Sequence, residues 1–322
     1  MNLRDYFTSF SRFPVVPIVS YPVARLLNLD LRKCLLEDPR LHADFICRVG
    51  EMLEIDAYLP LLDLTVEAEL FGAKVDFSKH EAPRINNKLD IDEIHRIERT
   101  RIPLMVETAR VAADKKLPGK PLGFYVTGPL TVLSQILGVE RVMLHFARRS
   151  ERIFLLLDSI TDVCVEYARR LADAGVDFLM IADPASSLLS VGLFRIFSVP
   201  YLERLIKEIS TDLILHICGK AGHLLEDISE LGATGISIDQ NVQLEEASSK
   251  LPKEMLIFGN YNPVNILLKS PKEIEEEVFK MLEHVRYDRR IVASTGCDIP
   301  PTASIENINA FIRASKSMLR YG

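Results

Sequence analysis

A (β/α)8 barrel is the fold this sequence predicts, and two observations predict it. Eight short apolar runs alternate with longer amphipathic stretches along nearly the whole chain. Polar residues cluster at or just after the ends of these runs: Asp63, Tyr125, Asp183, His216 with Cys218, Asp239, Asn260 and Cys297. In a barrel such positions gather at the C-terminal mouth, where active sites are built. A doubly wound open sheet is the competing arrangement. It would set the fifth and eighth runs too far apart for their ends to share one site.

The runs are Val15–Val19, Ala57–Leu62, Pro121–Tyr125, Asp177–Ile181, Leu213–His216, Gly235–Ile238, Met255–Gly259 and Ile291–Ser294. All are short and apolar, as strands covered on both faces should be. Between them, helical spacing marks Leu41–Leu53, Arg149–Gly175, Pro200–Ser210, Leu224–Leu231, Lys272–His284 and Ser304–Leu319. Helix-like sequence also follows Gly128-Pro129. Gly175 and Gly232 serve as stops, since glycine readily takes the backbone conformation that ends a helix. Ile91–Lys115 is helical but broken at Pro103, because an interior proline removes a donor and clashes with the preceding turn. Phe71–Asn87 is irregular, with room for a small hairpin. No repeat, low-complexity tract or Gly/Ser/Pro-rich linker divides the chain. One barrel domain over residues 1–322, with helical elaborations at its N-terminus, is therefore expected.

Of the 322 residues, 48% are hydrophobic and 26% charged, enough to bury a large core. The net charge of -6 argues against nucleic acid or an anionic membrane as partner. No apolar run approaches the ~18 residues of a membrane span. The opening residues mix acid and base without an apolar signal core, so a cytoplasmic location is expected. Five cysteines in a chain this long do not read as a disulfide framework. Cys34, Cys47 and Cys164 have apolar helical surroundings and are expected to be small buried hydrophobes.

The chemistry is carried by His216-Ile217-Cys218-Gly219. In an extended chain, residues two apart point the same way, so His216 and Cys218 face one side and Gly219 lets the backbone turn. Cys297 follows the last run. One imidazole and two thiolates suit zinc, which takes nitrogen and sulfur in a tetrahedron; three protein ligands leave the fourth position open. The long gap to Cys297 is unlike a structural zinc finger. His223, at the start of the next helix, is expected beside the site or on the surface. His42, His80, His95, His145 and His284 have no neighbours that suggest a role. Asp63 closes an apolar run, where a charge is costly unless paired or solvated. Asp63 and Asp239 are the candidate catalytic carboxylates. Asn260, Tyr125 and Asp183 are candidate substrate-binding groups, although Asp183-Pro184 also suits a turn. Glu67 and Glu69 read as loop charges, and Glu273–Glu277 as a solvated helix face.

His216-Ile217-Cys218-Gly219, Gly259-Asn260-x-x-Pro263 and Gly296-Cys297-x-Ile299-Pro300-Pro301 together resemble the uroporphyrinogen decarboxylase superfamily. Within it the sequence is most similar to the zinc-dependent methylcobamide:coenzyme M methyltransferases. Asp63 to Glu69, Gly128-Pro129-Leu130-Thr131, Asp183-Pro184-Ala185-Ser186 and Gly235 to Asp239 extend the likeness over nearly the whole chain. The resemblance implies a barrel with one zinc on His216, Cys218 and Cys297. It implies methyl transfer between a methylcobamide, carried by a partner corrinoid protein that docks transiently at the mouth, and a thiol such as coenzyme M. Asp63 matches the catalytic aspartate of the decarboxylase branch. That branch's arginine-rich segment is missing: the first run leads into Ser20-Tyr21-Pro22, with only Arg25 nearby. Porphyrinogen decarboxylation, which needs many cationic anchors, is therefore not expected. Asn262 stands where the methyltransferase branch has an aspartate, which leaves the acceptor open: another thiol such as homocysteine, or a folate. Arg25 and Lys220 are the cations available to a sulfonate. A decarboxylase-like lyase and a non-catalytic corrinoid-binding module are the alternatives from other classes.

Overall fold

The computed structural model describes residues 2–321 except His80 and Arg99. A two-stranded antiparallel hairpin, β1 (Val75–Asp76) and β2 (Arg84–Ile85), fills the irregular stretch. The other strands are β3 (Gly123–Thr127), β4 (Phe178–Ala182), β5 (Asp212–Ile217), β6 (Gly235–Ile238), β7 (Leu256–Tyr261) and β8 (Ile291–Thr295). They form one parallel sheet in simple sequence order. A doubly wound sheet reverses its order part-way; a barrel does not.

The first two expected strands are not laddered strands. Val15 makes a single parallel bridge to Ala293 of β8, and Tyr58 a single parallel bridge to Leu122 beside β3. Asp56 N donates to Val15 O at 2.9 Å, which ties these two segments to each other and completes the circle. Proline explains the weak pairing: Pro14, Pro17 and Pro60 have no N–H to give a ladder. Hydroxyls of β8 fill in at this seam. Ser294 Oγ donates to Val16 O at 2.7 Å, and Ile18 N donates to Thr295 Oγ1 at 3.2 Å.

Side chains that point into the barrel change character along its axis. Low in the barrel, Val16, Leu59, Met180, Ile214, Phe258 and Val292 pack together. Leu3 and Phe7 of the helix Leu3–Thr8 join them, with Phe7 edge-on to Phe258 at 5.4 Å. Two residues further along β5, β7 and β8 the same face is polar, with His216, Asn260 and Ser294, and β6 adds Ser237 beside His216. The register sets His216 beside Ser237, and Asn260 beside Ser294.

Helices Pro39–Met52, Glu151–Asp173, Val199–Glu208, Leu225–Glu230, Pro271–Glu283 and Ile305–Ser317 lie close to their expected places. The stretch from 91 to 115 differs. Its helix is Ile102–Lys115, so Pro103 starts it instead of breaking it. A first-turn proline lacks only an N–H that has no partner in any helix. Cys34, Cys47 and Cys164 are buried, as expected. Among the described residues no single helix is long and apolar enough to cross a membrane.

Two buried groups make stability depend on pH in opposite senses. Glu67, expected as a loop charge, is 0% exposed. Its carboxyl accepts from Thr127 N at 2.7 Å and Thr127 Oγ1 at 2.6 Å, and burial raises its pKa to about 7. His42 is buried with Nε2 accepting from Leu61 N at 3.3 Å, and burial lowers its pKa to about 4. For Glu67 the folded pKa lies above the unfolded one, so its contribution is full below pH ~4.5 and is lost as pH rises through 7. For His42 the folded pKa lies below the unfolded one, so its contribution is full above pH ~6.5 and is lost as pH falls through 4. Over the shared window they oppose each other. In metal-free protein, Glu67→Gln removes the Glu67 contribution, so denaturant midpoints should show stability rising with pH between pH ~4.5 and ~6.5 more steeply than in the parent, by about 2 kcal/mol over that interval. A Glu67→Gln profile parallel to the parent's would refute the assignment.

Candidate metal centre

Three strand ends bring the predicted ligands together. His216 is on β5, Cys218 lies just beyond β5, and Cys297 lies just beyond β8. Gly219 follows Cys218 with φ +89°, and a Cβ there would lie 2.8 Å from Ser187 Oγ, so the turn after the ligand pair needs glycine. One donor atom from each of His216, Cys218 and Cys297 lies within 4.8 Å of the others. A tetrahedron with Zn–S of ~2.3 Å and Zn–N of ~2.0 Å has edges of roughly 3.5–3.8 Å. The three side chains therefore need to close only slightly around an ion. His216 Nδ1 lies 2.9 Å from Ser237 Oγ, which holds the ring and directs Nε2 to the sulfurs.

The sulfurs also fit a cation electronically. The hydrogen bond from Cys218, and after it His216, outweigh burial and bring Cys297 down to about 4. Cys218 is correspondingly raised, by that hydrogen bond and then by burial. A site with one thiolate ready and a second thiol beside it suits a divalent, borderline-soft ion. His223 stays outside the set: its Nδ1 faces Lys220 O at 3.0 Å and its Nε2 faces Leu189 O at 2.8 Å.

The uroporphyrinogen decarboxylase (URO-D) family model matches residues 10–318. The chain belongs to the uroporphyrinogen decarboxylase family. Among its relatives in that family, a methylated-thiol–coenzyme M methyltransferase of Methanosarcina mazei is 31% identical, over 87% of this chain and 77% of its own. The methylcobamide:CoM methyltransferase MtaA of Methanosarcina barkeri is 26% identical, over 86% of this chain and 84% of its own. A solved methyltransferase structure from Methanosarcina mazei has the same fold, with a TM-score of 0.87, 23% identity, and coverage of 98% of this chain and 97% of that one. Within the uroporphyrinogen decarboxylase family this chain stands with the methyltransferases.

The other candidates fare differently in this family member. Asp239 is nearly buried beyond β6, and its charge is felt by Cys218. Its Oδ1 accepts from Asn241 N at 2.8 Å and from the Asn241 side chain; its Oδ2 makes none of the described hydrogen bonds. Asn260 gives its amide protons to Asp239 O and Val242 O, so it braces the loop that carries Asp239. Asp183 is fully buried and accepts from Thr131 N at 2.8 Å and Ser186 Oγ at 2.7 Å. It locks the loop after β4 to the helix Pro129–Leu137. Gly128 permits this approach, since a Cβ there would meet Asp183 Cβ at 2.3 Å. Tyr125 is buried with its hydroxyl unbonded. Asp63 is held by Arg101 Nη1 at 2.5 Å and by Thr65 N and Oγ1 at 2.9 and 2.6 Å. His80 lies outside the described residues.

Three residues were not singled out from the sequence. Ser237 could have been, because it occupies the inward position beside His216. Asp298 is the unspecified residue beside Cys297; its Oδ1 is buried without a partner. Arg101 carried no signal. It sits at the start of the helix Ile102–Lys115, under the hairpin, with its guanidinium 4.8 Å from the Phe77 ring. Its Nη1, Nη2 and Nε reach Asp63, Thr65 and Glu69.

Proposed function

We propose that this chain is a cytoplasmic zinc-dependent methyltransferase that moves a methyl group between a methylcobamide on a partner corrinoid protein and a small thiol. The convergence of one His216 nitrogen and the Cys218 and Cys297 sulfurs within 4.8 Å at the barrel mouth carries the reading. Bound there, zinc would supply the Lewis acidity that strips a thiol of its proton and keeps the sulfur nucleophilic at neutral pH. Ser237 keeps the His216 ring in its ligating orientation. Asp239, whose charge reaches Cys218 and whose Oδ2 makes none of the described hydrogen bonds, would take the thiol proton. In the transfer a sulfur–carbon bond forms as the donor's carbon–cobalt bond breaks, with the electron pair remaining on cobalt.

The buried Asp63–Arg101 pair disfavours the decarboxylase reading. A carboxylate that already accepts from a guanidinium, a hydroxyl and a backbone N–H has little capacity left for a substrate. Exposed Leu26, Leu188 and Leu268 lie in segments that follow the first barrel segment, β4 and β7. Apolar side chains at a mouth support docking of a protein-borne corrinoid.

The test is metal analysis together with absorbance spectroscopy of free methylcobalamin mixed with the protein and a panel of thiols. About one zinc per chain and metal-dependent conversion to cob(I)alamin are expected. Full zinc loading without turnover on any thiol or folate would overturn the proposal.

A further inference from the structure

The end of the barrel opposite the metal centre holds a cavity of about 800 Å³. It lies between the helix Leu3–Thr8, whose Leu3 and Phe7 plug the barrel, and the loops that lead into β7 and β8. Strand β8 separates it from the metal centre: Arg290 precedes the first residue of that strand, and Cys297 comes after the last.

The charge of this cavity runs against that of the chain. The whole sequence has a net charge of -6, yet Arg4, Lys253, Arg289 and Arg290 line the cavity against Asp5 and Asp288. Arg290 and Asp288 offset each other, with Nη2 donating to Oδ2 at 2.6 Å and Nε to Oδ1 at 2.9 Å. Arg289 fastens the end of the helix, donating from Nη2 to Thr8 O at 3.0 Å and to Phe10 O at 3.1 Å. Arg4 and Lys253 come from distant segments and meet where Arg4 Nη2 donates to Lys253 O at 3.2 Å. The Arg4 side chain makes no other described hydrogen bond, and the Lys253 ammonium makes none. Both side chains are exposed and have donors to spare.

Positive charge continues behind the cavity wall. Arg320 is 4% exposed. It donates from Nη1 to Arg289 O and Ile291 O, and from Nη2 to Phe7 O and Phe10 O. All these partners are neutral carbonyls. Burial, and then the charges of Arg289 and Arg12, bring the Arg320 guanidinium down to about 10. A buried cation is costly without negative charge nearby, and an anion in the cavity beside Arg289 would supply it. A guanidinium fork and an ammonium together suit phosphate oxygens. A single phosphate would leave most of the volume empty, whereas the cavity is of the size that small-molecule ligands occupy.

We propose that this cavity binds a small ligand through a diphosphate or longer phosphate chain, held by Lys253 and Arg4 and backed by the positive charge of Arg289 and Arg320. The site is separate from the metal centre and independent of the methyl-transfer reading. Its occupant ties the plugging helix to the loops before β7 and β8.

Calorimetric titration of the zinc-loaded protein in magnesium-free buffer tests it, with ADP, pyrophosphate, inorganic phosphate and adenosine as probes. ADP and pyrophosphate should bind with Kd below about 1 mM, and at least about tenfold more tightly than phosphate or adenosine. ADP binding tighter than pyrophosphate assigns the remaining volume to an organic portion; equal affinity assigns the site to inorganic polyphosphate. Lys253→Glu and Arg4→Met should each weaken ADP binding at least about tenfold. Lys272→Glu, on the exposed face of the helix Pro271–Glu283, should leave it unchanged. ADP should raise the melting temperature of the parent but not of Lys253→Glu, because the assembled site exists only in the folded chain. No binding of ADP or pyrophosphate, adenosine as tight as ADP, or an ADP affinity unmoved in either cavity variant would overturn the inference.

Discussion

Cys297→Ala protein is expected to lose its zinc and, with it, thiol methylation. The energetic scale follows from the donor set. An apparent zinc binding free energy of ~10–16 kcal/mol, shared over four donors, is ~3–4 kcal/mol per donor. Removing one sulfur should therefore weaken zinc binding by about a hundred- to a thousandfold. Ser237→Ala is the graded counterpart. It leaves all three ligands in place and removes only the oxygen beside His216 Nδ1 at 2.9 Å. Loss of such a supporting partner is worth roughly 10–100-fold in metal affinity. Competition against a chelator, with zinc content measured at each chelator concentration, should rank parent, Ser237→Ala and Cys297→Ala in that order. If Cys297→Ala retains the parent's affinity, the metal centre is not built as described.

Arg101→Met should cost about 3–5 kcal/mol of folding stability, the usual result of stripping one partner from a buried ion pair. The side chains of Arg101 and Asp63 are 6% and 3% exposed, so the abandoned carboxylate cannot turn to water. Glu69 also loses its contact, but its side chain is 22% exposed and is resolvated more easily. The double variant Arg101→Met, Asp63→Asn should recover a large part of the loss, because it removes the stranded charge. Zinc content should remain at the parent level in Asp63→Asn. Urea midpoints of the three variants decide the matter: a double variant no more stable than Arg101→Met would show that the lone carboxylate is not the source of the loss.

Much of this was legible in the sequence, and the remainder was hidden for identifiable reasons. Six of the eight apolar runs became β3 to β8 because short stretches rich in apolar β-branched and aromatic residues favour a doubly buried strand. The runs at Val15 and Ala57 held equally apolar residues, but their prolines remove the donors a ladder needs. Pairing there passes to single bridges and to hydroxyls on β8. The ligand trio was legible because alternation along β5 sets His216 and Cys218 on one face. Asp63 illustrates the limit. Its position at the end of an apolar run signalled that it needed company, yet nothing local points to a guanidinium at Arg101, which arrives only after the hairpin excursion. Glu67 was misread for a related reason: Thr127, the residue that lets a carboxyl be buried there, comes from β3.

The seam beside β8 gives metal affinity a second meaning. Ser294 and Thr295 hold the N-terminal segment in place, and Cys297 follows them directly in the chain. The terminal stretch that closes the ring is thus the one that delivers the last sulfur. A polypeptide whose final strand has not yet joined the sheet presents only His216 and Cys218 at the end of β5. Tight uptake of the ion is then a signature of completed folding, and a chain released before its C-terminal fifth is made would be recognisable by its inability to retain zinc.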